Sequence, residues 1–147
     1  RIPSSMMSQS WMGSDFSNKD VSRTDEIVDK YTHRLIQTNT IDGHKVHTIE
    51  SIPHEESAIV WGKEISHIRD DYVELEHEYY DQDMQLVKSL KTLAIKEMGG
   101  RMFAVQQRMS EIEKKQEWTE ISIEILDFDR EIPDYLFTLS NLRNPRK

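Results

Sequence analysis

The chain has 147 residues, which gives room for one domain with a modest core, so a single domain over residues 1–147 is predicted. Its net charge of −8 at pH 7 argues against nucleic acid as a partner, because binding to phosphates needs clustered Lys and Arg. The sequence contains no cysteine, which excludes disulfides, thiolate catalysis and zinc sites built on cysteine.

Residues 8–20 place Trp11, Met12 and Phe16 among serines, acids and a glycine. This stretch is too irregular for an amphipathic helix and too apolar for an ordinary solvated loop. Two interpretations stay open: the side chains form the lid of an apolar cavity, or they anchor a loop onto the protein's own core. The same question applies to Met6 and Met7, which lie just before them.

From Val28 onward the apolar residues alternate with period two between turn residues, which is typical of an antiparallel sheet. The pair Asp42-Gly43 marks the first tight hairpin. We predict a mostly β fold, a curved antiparallel meander of about seven strands, with short helical turns near the ends, one of them at Pro133. The predicted strands cover residues 28–40, 45–52, 57–68, 72–80, 85–95, 101–112 and 117–128.

Residues 84–114 allow either strand or helix, because apolar residues such as Met84, Val87 and Leu90 also follow helical spacing. We favour strands, since Gly99-Gly100 between two such runs completes a continuous meander.

The third predicted strand carries Ile59, Trp61 and Ile65 on one face. These side chains either line a ligand cavity or form the ordinary core of the sheet. The two descriptions differ only in whether a ligand fills the space above them.

No catalytic residue and no metal ligand is predicted. The sequence has no nucleophile-elbow or phosphate-loop motif. His44 and His47 fall on opposite strand faces, while Asp81 and Asp83 lack the glycine-punctuated loop of calcium-binding hands. The row Glu74, Glu76 and Glu78 is interpreted as a solvated outer face, and no cofactor is expected.

Several stretches, kept in order over nearly the whole chain, are together similar to the C-terminal half of the LolA-like outer-membrane lipoprotein-sorting protein family. They are RIPSSMMSQSWMGSDFSNKD, DGHKVHTIESIP, AIVWGKEI, EYYDQDMQLVKSL, IKEMGGR and DFDREIPDYLFTLSNLRNP. The resemblance implies an incomplete barrel whose concave side holds an apolar cavity under short helical lids. Typical members also begin with a signal peptide, several strands and a helix, so the N-terminal part of the family fold is expected to be absent before Arg1.

The resemblance further implies a non-enzymatic periplasmic carrier that binds lipid or lipoprotein acyl chains and exchanges them with a membrane-protein donor or acceptor. The cavity or lid candidates are Met6, Met7, Trp11, Met12, Phe16, Ile59, Trp61 and Ile65. No signal peptide and no membrane-spanning run is expected in the chain. The alternative is a ligand-free interaction module, a homo-oligomer whose truncated sheet pairs through its apolar face or open edge.

Overall fold

The computed structural model describes residues 3–22, 26–57 and 59–145. The strands are β1 (Tyr31–Ile41), β2 (His44–Pro53), β3 (Lys63–Arg69), β4 (Glu74–Tyr80), β5 (Leu86–Met98), β6 (Arg101–Glu111) and β7 (Thr119–Ser122). They form one seven-stranded antiparallel sheet in chain order, and β1 and β7 lie at its two ends without closing it into a barrel. The predicted mostly β meander is confirmed, including strands over residues 84–114.

The helices are short and lie near the ends of the chain, as predicted. Before the sheet come a 3₁₀ turn (Ser4–Met6), α1 (Asn18–Ser22) and α2 (Glu26–Asp29). After it come a second 3₁₀ turn (Asp134–Phe137), which follows Pro133, and α3 (Leu139–Arg143). The Thr138 hydroxyl caps α3 by accepting a hydrogen bond from the Asn141 amide. None of the described helices is long and apolar enough to cross a membrane.

The sheet has two faces of different character. On one face Glu64, Tyr79 and Lys88 lie side by side in register, and residues 3–22 pack over this face. We call it the covered face. The other face, here the open face, carries the register neighbours Ile65 and Glu78. The apolar cluster lies on the covered face, where Phe16, Leu90 and Met109 are buried and Trp11, Tyr79 and Ile121 pack against them.

The prediction that Ile65 shares a face with Ile59 and Trp61 is wrong. Strand β3 begins only at Lys63, so Ile59 and Trp61 precede it. The Trp61 ring packs on Tyr79 on the covered face, whereas Ile65 lies opposite Glu78 on the open face.

The last strand is shorter than predicted. It ends at Ser122, so the alternation of Ile123 and Ile125 continues outside the sheet, and the Ile125 side chain is 84% exposed.

Two glycines have steric reasons for their positions. In the hairpin between β1 and β2, Asp42 and Gly43 both have positive φ, at 49° and 81°, as the predicted tight turn requires. Gly62 lies just before β3, where its amide donates to the Tyr80 carbonyl at 2.9 Å. A Cβ at Gly62 would overlap the carbonyl oxygen of Asp81, so only glycine allows this close approach.

We predict that Gly62→Ala lowers the free energy of unfolding by about 2 kcal/mol or more, because the backbone at Asp81 must move to admit the methyl group. The control is Gly43→Asn, in which the added side chain meets open space and asparagine tolerates the left-handed conformation. Urea denaturation of both variants tests this. Equal stability of Gly62→Ala and the parent protein would contradict the proposed close approach.

Candidate functional site

Residues 3–22 form a self-contained segment over the covered face, and we call it the cover segment. In the described part of the chain, its backbone–backbone hydrogen bonds join the segment to itself. Examples are Trp11 N to Phe16 O at 2.6 Å and Lys19 N to Met7 O at 2.9 Å. The isolated bridge between Ser10 and Ser17 also lies inside the segment. The cover segment therefore lies on the sheet without being a strand of it.

Side chains attach the cover segment to the sheet. Phe16 is buried against Leu90 and Met109, and Met109 is fully buried. At the far end of the sheet, the Asp15 amide donates to the Thr119 hydroxyl at 3.1 Å, and this hydroxyl donates to the Asp15 carboxylate at 2.8 Å. The buried Phe16 ring and these polar contacts thus help to hold the segment in place.

The candidate residues of the cover segment differ in burial. Trp11 is half-buried and packs against the apolar cluster with Phe16. Met7 is half-buried, whereas Met6 is exposed and Met12 is 86% exposed. The positions of Trp11 and Phe16 fit both a lid and a core anchor, so their role as lid residues stays a prediction. The exposed Met12 side chain supports neither role while the cover segment lies on the sheet.

A buried ion pair joins the cover segment to the middle of the sheet. Lys88 Nζ lies 2.6 Å from Asp20 Oδ2, and the two side chains are 7% and 10% exposed. The same ammonium group lies 4.7 Å from the centre of the Tyr79 ring and 5.4 Å from that of Trp61. Asp20 Oδ2 also accepts hydrogen bonds from the amide and hydroxyl of Ser17, a capping-box pattern at the start of α1.

A second buried network crosses β1, β3 and β4. Glu64 accepts a hydrogen bond from the Tyr31 hydroxyl at one oxygen, and its other oxygen lies 2.7 Å from His77 Nε2. His77 Nδ1 lies 2.8 Å from Glu74 Oε1 and 3.2 Å from the Ser66 hydroxyl. Because both ring nitrogens of His77 face carboxylates, both donate, and the ring is an imidazolium held between two anions.

The pKa values of this network follow from its contacts. Burial disfavours the charged imidazole, but the hydrogen bonds to Glu64 and Glu74 outweigh burial and raise the pKa of His77 to about 9. Burial and then the hydrogen bond to Glu64 raise the pKa of Tyr31 well above its ordinary value. Burial, reinforced by nearby carboxylates, does the same for the pKa of Tyr79. The covered face therefore carries neutral phenols and fully paired ions.

Sequence reasoning did not identify this network. The alternation of β4 did place His77 on the same face as Tyr79, and a histidine on a dry face is the one signal that was available. Glu74 was interpreted as part of a solvated row, but it is half-buried and bonds to His77. The register of β3 and β4 shifts beside Glu74, and this local irregularity accompanies the contact between Glu74 and His77.

In the described part of the chain, His44, Asp70 and Asp71 bring three possible metal-ligand atoms within 4.8 Å of one another. These atoms are already engaged. The Arg69 guanidinium donates to His44 Nε2 at 2.9 Å and to Asp71 at 2.6 Å, and His44 Nδ1 lies 2.9 Å from Asp70. Hydrogen bonding from His44 holds the pKa of Asp70 below its usual range. A cation at the position of Arg69 makes this an ion-pair network, and the predicted absence of a metal site stays a prediction.

The clefts among the described residues include two of about 430 Å³ each. One lies between the ends of β5, β6 and β7, with Lys96 and Glu97 beside Val105 and Ile123. The other lies beside Ile52 and His54. Both have mixed polar and apolar linings, and neither includes the residues of the covered face discussed above.

The open antiparallel sheet and its cover segment define the fold class of this protein. Solved structures share this fold over most of the chain. A DUF1329 family protein from Desulfovibrio piger matches with a TM-score of 0.74 at 25% identity, over 97% of this chain and 59% of its own. A domain described as an outer-membrane lipoprotein-sorting protein domain, from Vibrio parahaemolyticus, matches with a TM-score of 0.79 at 24% identity, over 97% and 59%. A LolA superfamily protein from Nitrosomonas europaea matches with a TM-score of 0.66 at 19% identity, over 91% and 60%.

These matches confirm the predicted LolA-like resemblance, and the chain shares the fold of these structures. A family model described only as "Uncharacterized protein" matches residues 1–144, and the chain belongs to that family. No curated protein matches the chain. The chain spans about three-fifths of the length of the solved structures that it matches.

We predict that the stability of the protein falls as pH rises from about 6.5 to about 9. The folded protein keeps the His77 proton up to a pKa of about 9, whereas the unfolded chain loses it near 6.5. The folded state therefore binds more protons in this window, and the stabilisation present below pH 6.5 is lost, on the order of 3 kcal/mol in total.

Urea denaturation at pH 6.5, 7.5 and 9 measures this change. The matched variant Glu74→Gln removes one of the two carboxylates that hold the imidazolium, so its stability is expected to vary less with pH. A parent protein equally stable at pH 6.5 and pH 9 would show that His77 is not held as the cation.

Proposed function

We propose that this chain is a non-enzymatic carrier that binds an acyl chain of a lipid or lipoprotein on the covered face of its sheet. The observation that supports this most directly is the bonding pattern of the cover segment. A segment whose backbone–backbone hydrogen bonds are internal can leave the sheet without breaking a strand ladder. The likeness to solved structures of LolA-like lipoprotein-sorting domains supports the same function.

The surface under the cover segment suits an acyl chain. Leu90, Met109 and Ile121 provide aliphatic contacts, and Tyr79 provides a broad aromatic side. If Phe16 and Trp11 move away with the cover segment, an acyl chain can take their place on this surface. Each methylene group that leaves water contributes about 0.8 kcal/mol, and methionine adapts its shape to an irregular ligand.

A carrier role also fits the chemistry of the buried groups. Both nitrogens of His77 are bonded to carboxylates, so neither is available as a general base. A LolA-like carrier fold is generally non-enzymatic. By family resemblance we place the protein in the periplasm, where it would receive its cargo from one membrane protein and pass it to another.

The carrier proposal predicts that Ile121→Glu weakens binding of a fluorescent sixteen-carbon fatty-acid probe by about tenfold or more, because an acyl chain would have to bury the new carboxylate. Ile125→Glu is the matched control, since the same change falls on a side chain that is 84% exposed and outside the sheet. Native mass spectra of protein purified without detergent test whether the parent protein carries an acyl adduct. Lack of both an adduct and probe binding would contradict the proposal.

A second function, a homo-oligomeric interaction module, is supported by the outer edge of the sheet. Strand β1 is 11 residues long, and all of its side chains after Tyr31 are exposed, among them Leu35, Ile36 and Ile41. Charged residues and prolines normally protect such an edge. The one charged side chain of β1 is Arg34, which is paired with Glu50 at 2.7 Å.

If β1 pairs with β1 of a second copy, Ile36→Lys should convert a dimer to a monomer, because an antiparallel pairing centred on this residue brings two like charges together. The control Val28→Lys adds the same charge on α2, outside the strand. Sedimentation velocity at about 100 μM resolves the two states. A monomeric parent protein at this concentration would exclude pairing through this edge.

A further inference from the structure

Lys88 is a buried cation whose counterion belongs to the cover segment, which leaves the sheet in the proposed carrier function. Its side chain is 7% exposed and extends from β5 on the covered face, where it pairs with Asp20 of the cover segment. When the cover segment leaves the sheet, Asp20 leaves with it, because the cap formed with Ser17 keeps the carboxylate on α1. The ammonium group of Lys88 then needs another anion, since an unpaired charge on a largely dry surface is unfavourable.

The neighbouring carboxylates are already engaged. Glu64 accepts from Tyr31 at one oxygen and from His77 at the other. Glu111, which lies opposite Lys88 in the register with β6, is paired with Lys114 at 3.1 Å. When the cover segment opens, Lys88 therefore has no uncommitted carboxylate beside it, and an anionic group of a ligand can take the place of Asp20.

The surroundings of Lys88 connect this cation to the apolar surface. The ammonium lies over the rings of Trp61 and Tyr79, at 5.4 Å and 4.7 Å from their centres. Tyr79 also packs against the cluster that contains Leu90 and Met109. A cation between aromatic rings, beside an aliphatic surface, matches the two ends of an anionic amphiphile.

We propose that Lys88 binds the anionic headgroup of an acyl ligand, a carboxylate or a phosphate, and that Asp20 occupies this position when the cover segment is closed. Asp20 then acts as an internal competitor, and ligand binding exchanges one carboxylate for another anion without changing the local charge. This inference rests on the proposed carrier function and adds the chemical class of the ligand. A neutral acyl ligand would fill the apolar surface but leave Lys88 unpaired.

The test uses three probes with the same sixteen-carbon chain: palmitate, palmitoyl lysophosphatidylglycerol and the neutral 1-palmitoylglycerol. The parent protein should bind both anionic probes about tenfold more tightly than the neutral one. Asp20→Asn should raise the affinity for all three probes by about tenfold and keep the preference for the anionic ones, because in the parent protein every probe must break the pair between Asp20 and Lys88. The ratio between the two anionic probes distinguishes a carboxylate headgroup from a phosphate.

Three further variants complete the test. Ser17→Ala removes the cap hydroxyl that bonds to Asp20 but keeps its carboxylate, so it should raise the affinities clearly less than Asp20→Asn does. Lys88→Met should abolish the preference for anionic probes, and Lys88→Arg should keep it. No gain for the anionic probes in Asp20→Asn, or an equal gain in Ser17→Ala, would overturn the competitor role.

Equal affinity of the parent protein for charged and neutral probes would overturn the headgroup site and leave the carrier proposal standing. If none of the three probes binds to the parent protein or to Asp20→Asn, the carrier proposal itself fails.

Discussion

The pairing of buried charges across β1, β3 and β4 is the interaction on which the rest of this sheet depends. The network joins three strands: Tyr31 on β1, Glu64 on β3, and Glu74 and His77 on β4. Their hydrogen bonds can form only if the strands keep their observed register. Removing one partner from a buried ion pair costs about 3–5 kcal/mol, so a slipped register that separates these groups is strongly disfavoured. An open sheet has no barrel closure to fix its strand order, and this network supplies part of that constraint.

The network also divides the covered face into two regions. Toward β1 the face is polar, hydrogen-bonded and held by ions, whereas toward β7 it is apolar and closed by the cover segment. Tyr79 lies at the boundary, stacked on His77 on one side and packed against the apolar cluster on the other. For the proposed carrier function, this division would let the hydrogen-bonded region keep the sheet in shape while the apolar region exchanges the cover segment for an acyl chain.

The sequence predicts the sheet well because period-two alternation directly reflects one dry and one wet face. The same alternation places His77 and Tyr79 on one face. It does not predict the position of a residue that depends on contacts with distant parts of the chain. Period two predicts one face for Trp61 and Ile65, but β3 begins only at Lys63, and the close approach of Gly62 to Asp81 at that point joins residues far apart in sequence. The pair Lys88 and Asp20 joins residues 68 positions apart, and no local pattern marks either one as buried.

The location of the cover segment has a consequence for the order of synthesis. Asp15 and its partner Thr119 are 104 residues apart, so the cover segment leaves the ribosome long before β5, β6 and β7 exist. The meander itself forms from local hairpins and can assemble strand by strand, since each strand pairs with the one before it. Trp11 and Phe16 are therefore without their partners on the sheet until Met109 has been synthesised, at rates of about 5–20 residues per second. For that interval the nascent chain presents an apolar segment that a chaperone can recognise.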